Sequence, residues 1–562
     1  MNQKPRRFAV RNWTLLALWA LPAVFLGLFF FYPLVSVFRL AGQAVLDGQS
    51  TVGWGEIGQP LGFTLWQAAL STGLTLLVGL PAAYLFSRFT FPGKGILRVL
   101  TSLPFILPTV VVAAGFNALI GPNGWLNLAA MAWFHLDAPP IHLLNTLGAI
   151  LLAHIFYNTS IVIRLVGSAW AQLDPRLEQA ARSLGAPPLR TFWEVTLPLL
   201  APAILAATLL VFLFDFTSFG VILLLGGPRF ATLEVEIYIQ AIQMINLPQA
   251  ALLSAVQLAC TLLLTLLYQR VTRGQDVPLA PRLRGEATSA PTRMSQSMFI
   301  GTMAAILVIL LVLPLAALAV RSVTKLDADR GERGPVQTGL TLDYYTELAI
   351  NRRGSLFYVP PLEAVKNSVL YAGATVLFSV SMGLLAAYAL QRRSRVNRWL
   401  DPLLMLPLGA SAVTLGLGFI IVFNHPPLDV RSFPLLIPIA HSLVAFPFVV
   451  RTLQPALASI PTNLRQAAAG LGAAPWRVWW EVDRPIITRA ALVSATFAFT
   501  ISLGEFGATT FLARPDAPTI PVAIYRFLSQ PGAMNYGQAL AMATLLMAVC
   551  GLGIWSVEKL ND

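Results

Sequence analysis

The chain is predicted to be an all-α polytopic membrane protein, with about twelve transmembrane helices arranged as two pseudo-symmetric six-helix halves. Three observations predict this. Apolar residues make up 56% of the 562 and charged residues only 11%, at a mean hydropathy of +0.70; a soluble domain carries roughly 25% charge. Apolar runs recur at the ~20 residues needed to cross a bilayer. Finally, a shift of 287 residues lays 153–252 on 440–539 without a gap.

The first half reads as spans near 13–38, 63–87, 97–120, 143–167, 198–225 and 248–269. The second reads as spans near 297–320, 364–390, 400–423, 433–453, 486–512 and 536–557. The first run follows Lys4, Arg6, Arg7 and Arg11, reaches transmembrane length and shows no small-residue cleavage site. It therefore reads as an uncleaved helix and not as a signal peptide. Arg88, Lys94 and Arg98 lie between the second and third spans, and Arg392, Arg393, Arg395 and Arg398 between the eighth and ninth. The stretch 270–296 sets Arg270, Arg273, Arg282, Arg284 and Arg293 against Asp276 and Glu286. Basic loops flanking apolar spans explain the net charge of +13 without nucleic acid and place both termini in the cytoplasm. The 321–363 loop balances its arginines with Asp327, Asp329, Glu332, Asp343 and Glu347, and its length makes its charge less decisive. The non-periodic segment 276–296 reads as a cytoplasmic linker between a first half at 1–275 and a second at 297–562. Cys260 and Cys550 fall in apolar runs and give neither a disulfide framework nor metal spacing.

The most informative repeated segment is a polar loop between the fourth and fifth spans of each half. Glu178-Gln-Ala-Ala-Arg-Ser-Leu-Gly185 matches Arg465-Gln-Ala-Ala-Ala-Gly-Leu-Gly472, and Trp193-Glu194-Val matches Trp480-Glu481-Val before Pro198 and Pro485. Ala180, Ala181, Ala467 and Ala468 allow a helix to approach a partner closely, and Gly185 and Gly472 permit a turn. Matches continue outside the loop: Tyr84 with Tyr388, Gly115-Phe116 with Gly418-Phe419, and Ala153-His154 with Ala440-His441. Neither half contains a G-x-x-x-x-G-K-[S/T] phosphate loop, and no catalytic or metal-binding constellation stands out. The chain therefore reads as a non-enzyme.

The paired segments, about 170–198 and 457–485, resemble the EAA loop of permease subunits in binding-protein-dependent ABC importers. The resemblance covers essentially the whole chain and implies the type I ABC importer permease fold. It implies that each loop forms a coupling helix seated in an ATPase cleft, with Glu178, Ala180, Ala181, Gly185, Ala467, Ala468, Gly472 and Glu481 as the coupling residues. It further implies a cytoplasmic ABC ATPase homodimer that binds ATP, this chain holding no cofactor itself. An extracytoplasmic solute-binding protein and a bacterial or archaeal inner membrane complete the expectation. The second copy departs from the pattern, with Arg465 for the glutamate and Arg484 for Leu197, which puts equal contacts by the two loops in doubt.

Two carboxylates lie within apolar spans, Asp215 in Phe212-Leu-Phe-Asp215-Phe and Glu505 in Leu503-Gly-Glu505-Phe-Gly, with Phe219-Gly220 falling on Phe506-Gly507. Acids in a membrane face a cavity or a partner. Asp215, Phe219, Glu505 and Phe506 are thus expected on the translocation pathway, where carboxylate and aromatic faces suit an organic cation. The alternative is that each acid is hydrogen-bonded glue between helices. The wording from Ser218 to Tyr238 resembles fused permeases of thiamine importers, which implies thiamine or thiamine phosphate as the small-molecule solute. Ferric iron is the alternative, then a molybdate or sulfate oxyanion. From another class, an ion-coupled secondary carrier would also suit twelve spans, but it has no use for paired loops.

Overall fold

The computed structural model describes residues 12–46, 54–104, 107–227, 229–272, 288–325, 339–350, 359–391, 395–425, 428–429 and 433–561. Most of the expected linker (276–287), the N-terminal basic run, Arg392 and Arg393, and the acids Asp327, Asp329 and Glu332 lie outside them. Among the described residues, every regular element longer than two residues is a helix. Ten of these helices are long and apolar enough to cross a membrane: Leu18–Leu46, Gly55–Arg88, Leu147–Gln172, Pro188–Phe216, Leu247–Thr272, Met294–Arg321, Pro361–Leu390, Leu436–Ala458, Pro475–Gly504 and Ala533–Gly553.

The expected third and ninth spans are each broken in two, which is why ten appear and not twelve. Lys94–Leu100 is separated from Thr109–Ile120 by a stretch holding Pro104 and Pro108. Proline has no amide hydrogen and excludes the helical conformation from the residue before it, so the chain restarts with Pro108 as the N-cap. In the second half, Arg395–Gly409 contains Pro407 and stops at Gly409. Ser411 then caps Ala412–Val422, its hydroxyl accepting from the Thr414 amide at 3.0 Å.

The fifth spans also end earlier than expected. Leu197–Phe216 gives way at 217–219 to the short helix Gly220–Leu225, and Arg484–Gly504 gives way at Glu505-Phe506 to Gly507–Leu512. At their other ends these helices begin earlier, at Pro188 and Pro475. Each passes through a π turn, Phe192–Thr196 or Trp479–Asp483. Pro198 and Pro485 stand second after those turns. A π turn widens the backbone where a proline ring would collide with the preceding carbonyls.

The chain forms two compact units. One is drawn from residues 1–43, 355–520 and 549–562, the other from 44–354 and 521–548. Each is therefore built across the repeat, taking the first helix of the opposite half. In the former, Trp19 donates its indole hydrogen to Asn397 Oδ1 at 3.1 Å, and Phe29 packs on Phe419 and Phe423. In the latter, Met294–Arg321 lies on Thr109–Ile120, where a β-carbon on Gly115 would stand 3.0 Å from the Pro314 carbonyl oxygen.

Several positions recur in both cores. Ala83, Val162, Val166, Trp170 and Leu200 cluster in one unit, and Ala387, Val449, Leu453, Leu457 and Ile487 in the other. Both cores close on a glycine. A β-carbon on Gly79 would lie 2.7 Å from Val162, and one on Gly383 2.6 Å from Val449. Small residues at helix crossings are the membrane route to tight packing, since lipid supplies no hydrophobic drive between helices. Gly383→Val is expected to cost about 1–3 kcal/mol through overpacking, read as a lower thermal midpoint in detergent. Gly373→Val, on the same helix but with open space around it, is expected to leave the midpoint unchanged.

Candidate functional site

Each half presents a short exposed helix between its fourth and fifth spans. The first is Pro175–Ser183, capped by Asp174, whose carboxylate accepts from the Arg176 amide at 2.9 Å, and started by a proline. The second is Thr462–Gly470. Both end in the same way. The Gly185 amide donates to Arg182 and the Ala186 amide to Ala181, while the Gly472 amide donates to Ala469 and the Ala473 amide to Ala468. This is the Schellman pattern, and it requires the left-handed backbone seen at Gly185 (φ +84°) and Gly472 (φ +81°). The turn expected at these glycines is therefore a helix stop of fixed geometry.

The stop turns one leucine outward in each copy: Leu184 is 89% exposed and Leu471 90%. Leu177 and Leu464, Leu189 and Trp476, and Trp193 and Trp480 are exposed at matching positions. Ala180 and Ala467 are exposed beside them, whereas Ala181 and Ala468 are half-buried. Sequence reasoning weighed the alanines and glycines but passed over the leucines. The signal was present, since an apolar residue directly before the glycine occurs in both copies. Among the expected coupling residues, Glu481 stays at the surface in an i,i+4 pair with Arg477 at 3.8 Å, matching Glu194 with Arg190 at 2.9 Å.

Glu178 faces inward. Its Oε1 accepts from the Arg88 guanidinium and from the Thr196 hydroxyl, the latter at 3.0 Å, tying the short helix to the second and fifth spans of its own half. The second copy reverses the polarity: Arg465 Nε donates to Asp483 Oδ1 at 2.7 Å. Asp483 is the repeat partner of Thr196, so the departure at Arg465 is compensated by a second one 18 residues on. The other departure, Arg484, lays its guanidinium 4.0 Å from the Trp480 ring centre. Both loop helices are thus tied to the fifth span of their own half, by different chemistry.

The acids of the fifth spans, expected at a solute cavity, are enclosed in their own units. Asp215 accepts from Asn158 at 2.6 Å, and its Oδ1 lies 3.3 Å from His154 Nδ1. The same histidine bonds Ser71 at 3.0 Å and Ser218 at 2.8 Å. Glu505 accepts from the Ala508 and Thr509 amides at 2.8 and 3.0 Å and from the Thr509 hydroxyl at 2.6 Å. His441 stands 3.2 Å from it and bonds Ser502 and Thr509. Phe219 and Phe506 are buried at the N-caps of the short helices, Phe219 lying edge-on to Tyr238. The surroundings of the acids are amides, hydroxyls and imidazole. The histidines were visible in the sequence as a matched pair, but nothing there linked them to the acids 61–64 residues away.

The Arg465–Asp483 pair is partly shielded, with 29% and 9% of the side chains exposed. Arg465→Ala and Asp483→Ala are each expected to cost about 1 kcal/mol. The double variant should cost no more than either, a non-additivity that a double-mutant cycle on unfolding would read.

The chain matches the family described as binding-protein-dependent transport system inner membrane component at residues 75–328 and again at 379–561. It is 27% identical over 490 residues to the thiamine transport system permease protein ThiP of Brucella abortus, covering 87% of this chain and 85% of that one. It is 28% identical over 508 residues to ThiP of Escherichia coli, covering 89% and 88%. A probable ABC transporter permease protein, y4fN of Sinorhizobium fredii, is 26% identical over 540 residues, covering 94% and 92%. Matched through both halves, each with its exposed loop helix, the chain belongs to the binding-protein-dependent transport system inner membrane component family and is a multi-pass permease of an ABC importer.

Proposed function

We infer that this permease imports thiamine or a phosphorylated thiamine, delivered by an extracytoplasmic binding protein and driven by a separate cytoplasmic ATPase homodimer. The observation that carries the coupling reading is the pair of Schellman-terminated helices, each holding one leucine almost wholly in solvent. An exposed apolar side chain on a rigid stop gives a partner a fixed anchor at little entropic cost. Closure of the ATPase dimer on ATP is transmitted through the segments near 176–190 and 463–477 and opens the permease outward; hydrolysis resets it. Both termini and both loop helices face the cytoplasm in this reading, supported by the basic loops that flank the spans.

The solute reading is supported by the relatives named as thiamine permeases. Asp215, Phe219, Glu505 and Phe506 stand on the solute route in this reading, between the fifth and eleventh spans.

Two experiments test this. Leu184→Asp combined with Leu471→Asp is expected to abolish co-purification of the ATPase while the chain remains in the membrane. Undiminished co-purification would sink the coupling assignment. In the reconstituted complex, ATP hydrolysis is expected to rise with the binding protein loaded with thiamine and not with ferric iron. Stimulation by the iron-loaded form alone would keep the importer and overturn the solute.

A further inference from the structure

Asp215 and Glu505 do not match each other in the repeat. The 287-residue shift lays Asp215 on Ser502 and Ser218 on Glu505, so each half holds one acid and one serine, in opposite order. The histidine beside them is shared. His154 matches His441, and Ser71 matches Thr375 under the same 304-residue shift that lays Tyr84 on Tyr388. Ser71 bonds His154 directly at 3.0 Å, and Thr375 reaches His441 through Ser502 at 3.1 Å.

The acid's second partner moves with it. Asn158, which donates to Asp215, is replaced by Ala445 in the other half. Thr509, which donates to Glu505, is replaced by Ile222. A chance acid would not bring its own donor and leave an apolar residue where the donor is not needed. In both halves the imidazole also links the long helix to a residue of the break or of the helix after it. His154 joins Asp215 on the long helix to Ser218 in the bend. His441 joins Ser502 on the long helix to Thr509 on the short one.

We propose that His154 and His441 each hold one buried carboxyl that positions the bend between the fifth helix and the short helix after it, and that this carboxyl serves from either side of the imidazole. The bend interrupts a helix inside an apolar slab, where its polar groups must find protein partners. One hydrogen-bonded acid per histidine meets that need; its place along the turn is interchangeable when its donor travels with it. The acids and histidines are thus positioning residues for transport.

Hydrogen–deuterium exchange of the amides in 217–226, in the full chain, reads the bend without any solute. Asp215→Ser is expected to speed exchange there at least about tenfold, the effect of removing one buried hydrogen bond to an acid. Adding Ser218→Glu, Asn158→Ala and Ile222→Thr, which copies the arrangement of the second half, is expected to restore slow exchange. The mirror set, Glu505→Ser with Ser502→Asp, Thr509→Ile and Ala445→Asn, should do the same at 504–512, and serves if Asp215→Ser is not recovered folded. Relocated sets that exchange as fast as the single variants would overturn the proposal, as would slow exchange in Asp215→Ser. The inference rests on the importer reading for one further readout, stimulation of ATP hydrolysis by the binding protein relative to the basal rate. Stimulation should be lost in Asp215→Ser and regained on relocation. Slow exchange regained without it would overturn the positioning role and leave a purely structural brace. Absence of stimulation in the parent chain would count against the solute assignment, not against the bend.

Discussion

Inside an apolar slab an interrupted helix has no water to turn to, so each break must be closed by side chains of the protein itself. This constraint organises the rest of the structure. The breaks at 217–219 and 505–506 fall where buried acids and histidines supply partners. Glu505 does so most completely, taking two backbone amides and a hydroxyl at the start of the following helix. Gln67 contributes in the first half by donating to the Asp215 carbonyl at 2.8 Å. With the bends closed, the long helices remain free to pack through Gly79 and Gly383 against Val162 and Val449. The cores of the two units form at those crossings.

The internal repeat acts as a natural experiment on these interactions. At two contacts both members change together between the halves. Glu178 with Thr196 becomes Arg465 with Asp483, inverting the polarity while keeping the tie between the loop helix and the fifth span. Asp215 with Asn158 becomes Glu505 with Thr509. Gly185 and Gly472 keep their identity because the left-handed backbone there disfavours a β-carbon. The halves therefore preserve geometry more strictly than chemistry.

The loop helices combine a rigid body with a sticky tip. Their anchors are internal, made by Glu178 to Arg88 and by Arg465 to Asp483, and their exposed faces are apolar at matched positions. A lever of this kind transmits motion only if its base does not slip. In the proposed coupling the inward-facing charges therefore matter as much as the exposed leucines.

Much of the architecture was legible in the chain. Apolar length fixed ten spans, because crossing a bilayer demands a minimum helix length whatever the neighbours do. The repeat fixed the loop helices and their glycine stops, because those depend on local backbone geometry. Proline placement in 101–108 and at Pro407 carried the broken spans in principle, yet continuous hydropathy masked them. Three things were decided only by tertiary structure: the exchange of first helices between units, the enclosure of Asp215 and Glu505, and the partner of Arg465. Each depends on contacts between separate helices. Hydropathy and periodicity report which face of a segment avoids water; they carry no information about which distant hydrogen-bond donor will meet a buried acid.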